Sequence, residues 1–351
     1  MTRQFVHDQR AVRVVFRRGA LDAIGDEVER LGAQRVLLIG SPRHADRVSA
    51  LLGERVAATV SAPRMHVPAE QARFVQAQGD ALDVDACVAV GGGSATGLAK
   101  VVALHRRIPI LAAPTTLSGS EMTRVWGMTT AGVKQTGRDE AAAPRIVLYD
   151  PDLLATLPVA TAVPSAVNAL AHAVEALWAP DRTPLTDLYA REGAAAIGRA
   201  LRGAGKTELT ELVTEALYGA WLSGMCLDST TMSLHHKLCH VLGGSFGLPH
   251  AETHTVVLPH VIAFNAGHAA PALHTLREAL DMRDPARGLH SLVTTLGGPG
   301  SLAELGLRST DLDRATDLAL ASPYANPRPL TADVIRTVLE GALRGDEPTI
   351  A

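Results

Sequence analysis

The chain has 351 residues, of which 47% are hydrophobic and 20% charged, with a formal net charge of −3. This length predicts about two domains, and the apolar content is sufficient for large buried cores. The slightly acidic balance excludes the basic surface that nucleic-acid-binding proteins need. No apolar run reaches the ~20 residues of a bilayer-spanning helix, and the run MTRQFVHDQR lacks the apolar core of a signal peptide. We therefore expect a cytoplasmic protein with neither nucleic-acid nor membrane partners.

The first 150 residues alternate short apolar runs with helical stretches. The runs are RVLLIG at 35–40, DACVAVGGGS at 85–94 and IPILAAPTT at 108–116. This alternation is typical of a parallel α/β sheet. From about Pro164 onward strand-like runs nearly vanish, and long Ala/Leu-rich segments predict helices. The sequence thus predicts an α/β domain over residues 1–160 and an all-α domain over residues 161–351.

A glycine-rich turn follows the second of these runs. Gly91, Gly92, Gly93 and Ser94 directly follow a buried strand and open the helix SATGLAKVVALH. A turn without side chains lets backbone N–H groups approach a phosphate at the positive end of a helix. The alternative is that the glycines only shape the turn. The pattern is not GxGxxG, which disfavours an ordinary Rossmann dehydrogenase.

A second polar loop follows the third run and contains Thr115, Thr116 and Ser118. In open α/β sheets ligands bind beyond the carboxyl ends of the strands, so this loop and the glycine-rich turn should contact one nucleotide. Together the two loops predict a dinucleotide site.

Six of the fourteen histidines fall between His235 and His260. Among them His236 and His240 stand four apart on one helical face, and His250 follows a glycine break. Upstream, Asn168 and His172 also stand four apart on a predicted helix. A divalent metal ion usually binds imidazole nitrogens together with an anionic oxygen, and Asn168 offers an uncharged one.

The remaining histidines of this segment, His235, His254 and His260, are interpreted as structural. Cys87, Cys226 and Cys239 are odd in number and form no CxxC pair, so they predict neither disulfides nor a cysteine metal site. Cys239 is expected to lie beside the histidine cleft.

Long stretches of this sequence resemble the iron-containing alcohol dehydrogenase family. They are GGGSATGLAK, PTTLSGSEMT, YDPDLLATLP, the histidine block and NPRPLT, and the likeness covers nearly the whole chain. Within the family the chain is most similar to the maleylacetate reductase branch, through residues 120–139, SAVNALAHAVEALWAP and the missing acid at position 168. The resemblance implies the dehydroquinate synthase-like fold, an active site between the two domains, and a homodimer.

The resemblance also implies roles for the histidine segment. Metal-dependent members bind iron or zinc through an Asp and three His, at the positions of Asn168, His172, His236 and His250 here. Because the acid is missing, we expect these residues to bind substrate directly, without a metal. The implied reaction is NADH- or NADPH-dependent reduction of the C=C bond of 2-maleylacetate, a small dicarboxylate keto acid, to 3-oxoadipate.

In this reaction, imidazolium groups among His172, His236 and His250 are expected to stabilise an enolate oxygen. His240 is expected to donate or relay the proton, and the alternative is that it positions the nicotinamide. Arg124 and Lys237 are candidates for binding the substrate carboxylates.

The nucleotide preference depends on the end of the RVLLIG run. Family members that prefer NAD often have an acid there, whereas this chain continues with Ser41, Pro42 and Arg43. Without that carboxylate a 2′-phosphate is not repelled, and Arg43 could pair with it, so both NADH and NADPH should be accepted. Gly97 also replaces an Asp found in many family members.

Three other functions fit parts of this pattern. A metal-dependent alcohol or polyol dehydrogenase would use Asn168 as a neutral ligand. A cyclising lyase of the dehydroquinate synthase type would need a basic phosphate cluster, which the sequence does not show. A non-enzymatic nucleotide-binding protein would have less reason to keep His172, His236 and His250 together with both nucleotide loops.

Overall fold

The computed structural model describes residues 5–130, 133–205 and 209–349, and the chain divides into two compact units. The first unit is Gln9–Thr156, and the second is Leu157–Ala351 together with the amino-terminal residues up to Asp8. The sequence placed residues 5–8 and 157–160 with the α/β domain, whereas here they belong to the helical unit. Within the described ranges no helix is both long and apolar enough to cross a membrane.

The first unit is built on a six-stranded sheet in which neighbouring strands run parallel. The unit's strands are β1 (Arg13–Phe16), β2 (Val36–Gly40), β3 (Val56–Val60), β4 (Ala86–Gly91), β5 (Ile110–Pro114), β6 (Val125–Thr130), β7 (Val133–Arg138) and β8 (Ile146–Tyr149). The sheet order is β1-β8-β5-β4-β2-β3, while β6 and β7 form a separate antiparallel hairpin. The inner strands β2, β4, β5 and β8 are buried throughout, so they are continuous apolar runs without alternation.

Helices connect the strands and cover the sheet. They are α1 (Ile24–Arg30), α2 (Pro42–Leu52), α3 (Ala69–Ala81) and α4 (Gly93–Arg106). Leu98 and Val102 of α4 are fully buried in one cluster with Leu37 of β2 and Ile110 of β5. Each such apolar side chain contributes on the order of 2 kcal/mol by its burial. The predicted parallel α/β sheet is confirmed.

The carboxyl ends of β4 and β5 lie at one edge of the sheet. Gly91 and Pro114, the last residues of these two strands, are paired in register. The neighbouring strand β2 ends at Gly40, which pairs with Val90, the residue before Gly91. The loops that leave these three strands therefore start side by side. The run VRVVFRR contributes β1, which pairs with β8 and is an edge strand of this sheet.

In the described part of the second unit, the regular secondary structure is helical. Its α-helices are α5 (Val159–Ala176), α6 (Pro184–Gly203), α7 (Leu209–Ser229), α8 (Leu234–Phe246), α9 (His250–Asn265), α10 (Ala270–Leu280), α11 (Pro285–Thr295), α12 (Leu312–Leu320) and α13 (Ala332–Arg344). α5 is the central helix, because it packs against α6, α7, α8 and α9 and is buried from Val163 to its end. Polar side chains on α5 therefore need partners inside the unit.

Candidate active site

The glycine-rich turn joins β4 to the amino terminus of α4. Gly92 precedes the helix, and no side chain caps its first turn. A Cβ atom on Gly92 would lie 2.9 Å from Cγ2 of Thr116, so only glycine allows the two loops to approach this closely. A Cβ atom on Gly93 would meet nothing within 4 Å. An uncapped helix terminus beside open space fits a phosphate group.

The second loop continues from β5 beside this turn. The backbone N–H of Thr115 donates to the carbonyl of Gly91 at 3.1 Å, which ties the two loops together. Farther along, the hydroxyl of Ser118 accepts from the backbone N–H of Ser120 at 3.4 Å. The structure thus brings Thr115 and Thr116 next to the glycine turn, while Ser118 helps to shape the loop.

A buried cation holds the segment that follows. Lys100 of α4 is 1% exposed, and its Nζ donates to the carbonyls of Ser120, Thr123 and Val125 at 2.7–2.8 Å. It also lies 2.9 Å from the hydroxyl of Thr123. Charged hydrogen bonds of this kind are stronger than neutral ones. Lys100 therefore fixes the path of the chain between β5 and β6, a role that the sequence did not reveal.

The loop after β2 is free of acidic residues. Ser41 precedes α2, whose first turn contains none. The side chain of Arg43 is exposed and donates to the hydroxyl of Thr156 at 3.0 Å. Burial and the nearby charges of Arg43 and Arg47 lower the pKa of His44, which indicates a positive potential at this point. The donor set fits a nucleotide with or without a 2′-phosphate.

The histidine cluster is built in the second unit by α5, α8 and α9. Asn168 and His172 lie one turn apart on α5, and both are 4% exposed. His236 is 5% exposed on α8, where His240 is exposed one turn later. His250 is the first residue of α9 and is half-buried.

The rings of this cluster are close to one another. His172 and His236 stack with centroids 4.9 Å apart and 29° between their planes. The ring of His240 meets His236 edge-on at 6.2 Å. His250 contacts His254 at 4.4 Å, and His254 in turn lies 5.1 Å from His236. All four predicted histidines thus belong to one cluster.

A carboxylate that the sequence did not single out supports this cluster. Glu175 is fully buried on α5, and its Oε2 accepts from Nδ1 of His236 at 2.7 Å. Its oxygens also accept from the backbone N–H groups of Ser233 and His235, at the amino terminus of α8. Burial by itself would raise the pKa of Glu175, but the hydrogen bond and charge interaction with His236 lower it to about 2.

Two of the histidines interpreted as structural form a buried pair. Nε2 of His235 and Nδ1 of His254 are 2.9 Å apart, and Sγ of Cys239 lies 3.7 Å from the same Nε2. One ligand atom from each residue lies within 4.8 Å of the others. Burial raises the pKa of Cys239 and lowers that of His235 to about 3. At neutral pH these are a neutral thiol and neutral imidazoles.

The protonation of His172 differs from the sequence-based expectation of an imidazolium. Burial, followed by the neighbouring His236 and His250, lowers the pKa of His172 well below 6.5. His172 is therefore a neutral ring near pH 7, and it can offer only a neutral N–H donor. A charged donor must come from another member of the cluster.

The side chains at the family's metal-binding positions do not fit an iron or zinc site well. Asn168 supplies a neutral oxygen where an anionic one is usual, and the nearby carboxylate of Glu175 already accepts five hydrogen bonds. Oδ1 of Asn168, Nδ1 of His172 and Nε2 of His236 are buried and have no hydrogen-bond partner among the described residues. Buried polar atoms without a protein partner are available to hydrogen-bond to a ligand or to water.

The two predicted carboxylate-binding residues already have partners. Arg124 forms an ion pair with Glu140 at 2.9 Å, and its side chain is 24% exposed. Lys237 is half-buried, and its Nζ donates to the hydroxyl of Ser322 at 3.1 Å and lies 5.9 Å from the ring centre of Tyr324. The roles of both residues in substrate binding stay predictions.

Known relatives share this architecture over the whole chain. The family model "Iron-containing alcohol dehydrogenase" matches residues 11–151, and the model "Fe-containing alcohol dehydrogenase family, C-terminal" matches residues 162–343. The maleylacetate reductase of Burkholderia cepacia is 46% identical over 98% of this chain and 99% of its own. Maleylacetate reductase 1 of Cupriavidus pinatubonensis is 43% identical over 99% of each.

A solved structure agrees with these relatives. The maleylacetate reductase of Agrobacterium tumefaciens superimposes with a TM-score of 0.94 at 40% identity, covering 99% of this chain and 100% of its own. Both halves of the chain thus match one family, in sequence and in fold. The chain belongs to the iron-containing alcohol dehydrogenase family.

Proposed function

We propose that the protein is a maleylacetate reductase, which uses NADH or NADPH to reduce the C=C bond of 2-maleylacetate to 3-oxoadipate. The observation that carries the proposal is the set of buried unpaired polar atoms on Asn168, His172 and His236. The two imidazole nitrogens donate to an oxygen-rich ligand when they carry a proton, the amide oxygen of Asn168 accepts, and Asn168 adds no negative charge that would repel a dianion. The identity of 43–46% to named maleylacetate reductases supports the same conclusion.

In the first unit, the backbone of Gly92, Gly93 and Ser94 would hold the pyrophosphate of the dinucleotide at the amino terminus of α4. Thr115 and Thr116 would contribute backbone and hydroxyl groups beside it. Arg43 would contact the ribose end, where the absence of an acid permits a 2′-phosphate. When bound, the reduced cofactor supplies a hydride from the nicotinamide C4.

The substrate ketone is conjugated with the C=C bond, so hydride enters the carbon β to the ketone. Negative charge then develops on the ketone oxygen as an enolate. Preorganised hydrogen-bond donors stabilise such an oxygen without a metal ion. The donors that this cluster would offer are the neutral N–H of His172, the Nε2–H of His236 when that ring is protonated, and the amide N–H of Asn168.

A proton must also reach the carbon α to the ketone, which completes the reduction and returns the enolate to a ketone. His240 is suited to this step because its ring is exposed and meets His236 at 6.2 Å. An exposed histidine can take up a proton from water and pass it inward. His250 would act beside it in orienting the substrate.

The test is oxidation of NADH and of NADPH with 2-maleylacetate, first on chelator-treated enzyme and then after addition of zinc or iron. We expect turnover without metal and no more than a small change when metal is added. Activity that appears only with metal, or only toward simple alcohols and aldehydes, would favour the metal-dependent dehydrogenase in which Asn168 is a neutral ligand. The homodimeric state and cytoplasmic location stay expectations.

A further inference from the structure

The carboxylate of Glu175 connects the amino terminus of α8 to the ring of His236. It accepts five hydrogen bonds, three from backbone N–H groups of Ser233, His235 and His236, one from the hydroxyl of Ser233, and one from Nδ1 of His236. Its side chain is fully buried. A buried charge is tolerated only when it is paired and hydrogen-bonded, as it is here.

The two nitrogens of His236 are in different situations. Nδ1 lies 2.7 Å from Oε2 of Glu175, and an ionised carboxylate can only accept, so Nδ1 carries a proton. Nε2 is buried and has no hydrogen-bond partner among the described residues. The contact with Glu175 therefore fixes both the orientation of the ring and the nitrogen that is left for a ligand.

We propose that Glu175 is a positioning residue for His236: its carboxylate holds the proton on Nδ1 and directs Nε2 to the reacting oxygen of the substrate. This inference rests on the proposed reduction for its substrate. A neutral His236 in this tautomer has only a lone pair on Nε2, so it becomes a donor there when it is protonated. The negative charge of Glu175 then balances the imidazolium.

The two stacked histidines, His172 and His236, differ in their surroundings. His172 is neutral near pH 7, whereas His236 has a buried counter-ion at 2.7 Å. Within the stacked pair the ring of His236 therefore has a hydrogen-bonded carboxylate that sets the orientation of its nitrogens. In serine proteases a buried carboxylate plays the comparable part of orienting a histidine and stabilising its charged form.

The test compares Glu175→Gln with Ser233→Ala. The amide keeps the shape of Glu175 but removes the charge and presents N–H groups where donors now point. The alanine removes the 2.6 Å bond from the Ser233 hydroxyl to the same carboxylate and the acceptor of Trp178 Nε1, but it keeps the partners of the contact between Glu175 and His236. Selective ¹⁵N labelling of histidine reports the protonated nitrogen of each ring, and loss of a signal in His236→Gln assigns it.

In the wild type we expect Nδ1 of His236 to be protonated, with Nε2 unprotonated in the neutral ring. Glu175→Gln should lower kcat by at least about tenfold while KM for the nucleotide stays close to that of the wild type. Ser233→Ala keeps the charge of Glu175 and its contact with His236, so it should lower kcat much less than Glu175→Gln and leave the protonated nitrogen of His236 unchanged. A proton on Nε2 of the neutral wild-type ring would overturn the proposal, as would equal losses of kcat in the two variants.

The spectroscopic result does not depend on the substrate, nor on whether Glu175→Gln folds. If the enzyme failed to reduce 2-maleylacetate but His236 carried its proton on Nδ1, the proposed function would be wrong and the positioning role would stand. If turnover occurred and the wild-type ring carried its proton on Nε2, the reverse would hold.

Discussion

The rings of His172 and His236 stack at 4.9 Å, a distance at which two imidazolium ions would repel each other by about 3 kcal/mol at an effective dielectric constant of about 20. Both rings therefore cannot be charged together without a large loss of stability. Glu175 is hydrogen-bonded to the ring of His236, which gives the two stacked rings different surroundings. The cluster is thus asymmetric, because His172 is a neutral ring, His236 is bonded to a carboxylate and Asn168 is an uncharged amide.

The first prediction concerns that amide. Asn168→Asp restores the anionic oxygen that metal-dependent relatives have, next to His172, His236 and His250. We expect the variant to bind about one zinc ion per chain, because a carboxylate and imidazoles are suitable ligands. We also expect its reduction of 2-maleylacetate to fall at least about tenfold, because the new charge repels a dianion. Metal analysis and the rate of NADH oxidation measure both effects.

Asn168→Ala is the matched control for this substitution. It removes the amide without adding charge, so it should weaken substrate binding and acquire no zinc. Equal zinc contents in the two variants and the wild type would contradict the prediction. So would full activity of Asn168→Asp after treatment with a chelator.

The second prediction uses the two neighbouring glycines of the phosphate turn. Gly93→Ala adds a methyl group where the protein has open space, so it should leave the melting temperature unchanged. If the phosphate occupies that space, KM for the nucleotide should rise. Gly92→Ala forces its Cβ to within 2.9 Å of Thr116, so it should lower both stability and nucleotide affinity.

Thr116→Ser distinguishes a clash with Thr116 from a loss of space for the phosphate, because it removes the methyl group that a Cβ on Gly92 would meet. Combined with Gly92→Ala it should restore part of the lost stability, and combined with Gly93→Ala it should restore nothing. A thermal melt and a nucleotide titration of each variant provide the measurements. An unchanged KM in Gly93→Ala would exclude a phosphate at that position.

The sequence predicted the parts of the molecule that depend on local pattern. The parallel sheet followed from the apolar runs of β2, β4 and β5, which are buried on both faces and therefore unmixed with polar residues. The approach of the loops after β4 and β5 followed from the geometry of parallel strands. The i, i+4 spacing of Asn168 with His172, and of His236 with His240, correctly placed each pair on one helix.

The supporting contacts could not be predicted because they join distant parts of the chain. Glu175 lies 58 residues from Ser233, and no local pattern indicates which donors it meets. Its only signal was a single carboxylate on the apolar helix SAVNALAHAVEAL, where a buried charge requires a partner. Lys100 gave a similar signal on α4. The neutral state of His172 depends on burial, which the spacing of the histidines does not reveal.

The third prediction concerns Lys100. Lys100→Met keeps the length of the side chain but leaves the carbonyls of Ser120, Thr123 and Val125 without their charged donor. We expect the free energy of unfolding to fall by more than about 2 kcal/mol, because buried acceptors would lose charged hydrogen bonds. Lys237→Met is the control, since that half-buried lysine donates to the hydroxyl of Ser322 and should cost much less stability. Urea unfolding of both variants measures these changes. Similar losses of unfolding free energy in the two variants would contradict the structural role of Lys100.

The fourth prediction concerns pH and His260, a residue of α9 that is 7% exposed. Burial, followed by the neighbouring His290, lowers the pKa of His260 from 6.5 to about 4. As the pH falls below 6.5 the unfolded chain protonates this ring, whereas the folded chain does not until about pH 4. The unfolded state then binds more protons, so the free energy of unfolding falls across this range, by up to about 1.4 kcal/mol per pH unit.

His260→Gln removes this titration while keeping a polar side chain. At about pH 7, the difference in unfolding free energy between wild type and variant measures the lost packing. The change in that difference between about pH 7 and about pH 5 measures the contribution of His260 protonation. We expect the variant to be the less stable protein at neutral pH, and the gap to narrow as the pH falls because only the wild type is penalised by the ring. A constant gap across the range would mean that His260 takes up its proton equally in the folded and unfolded chains.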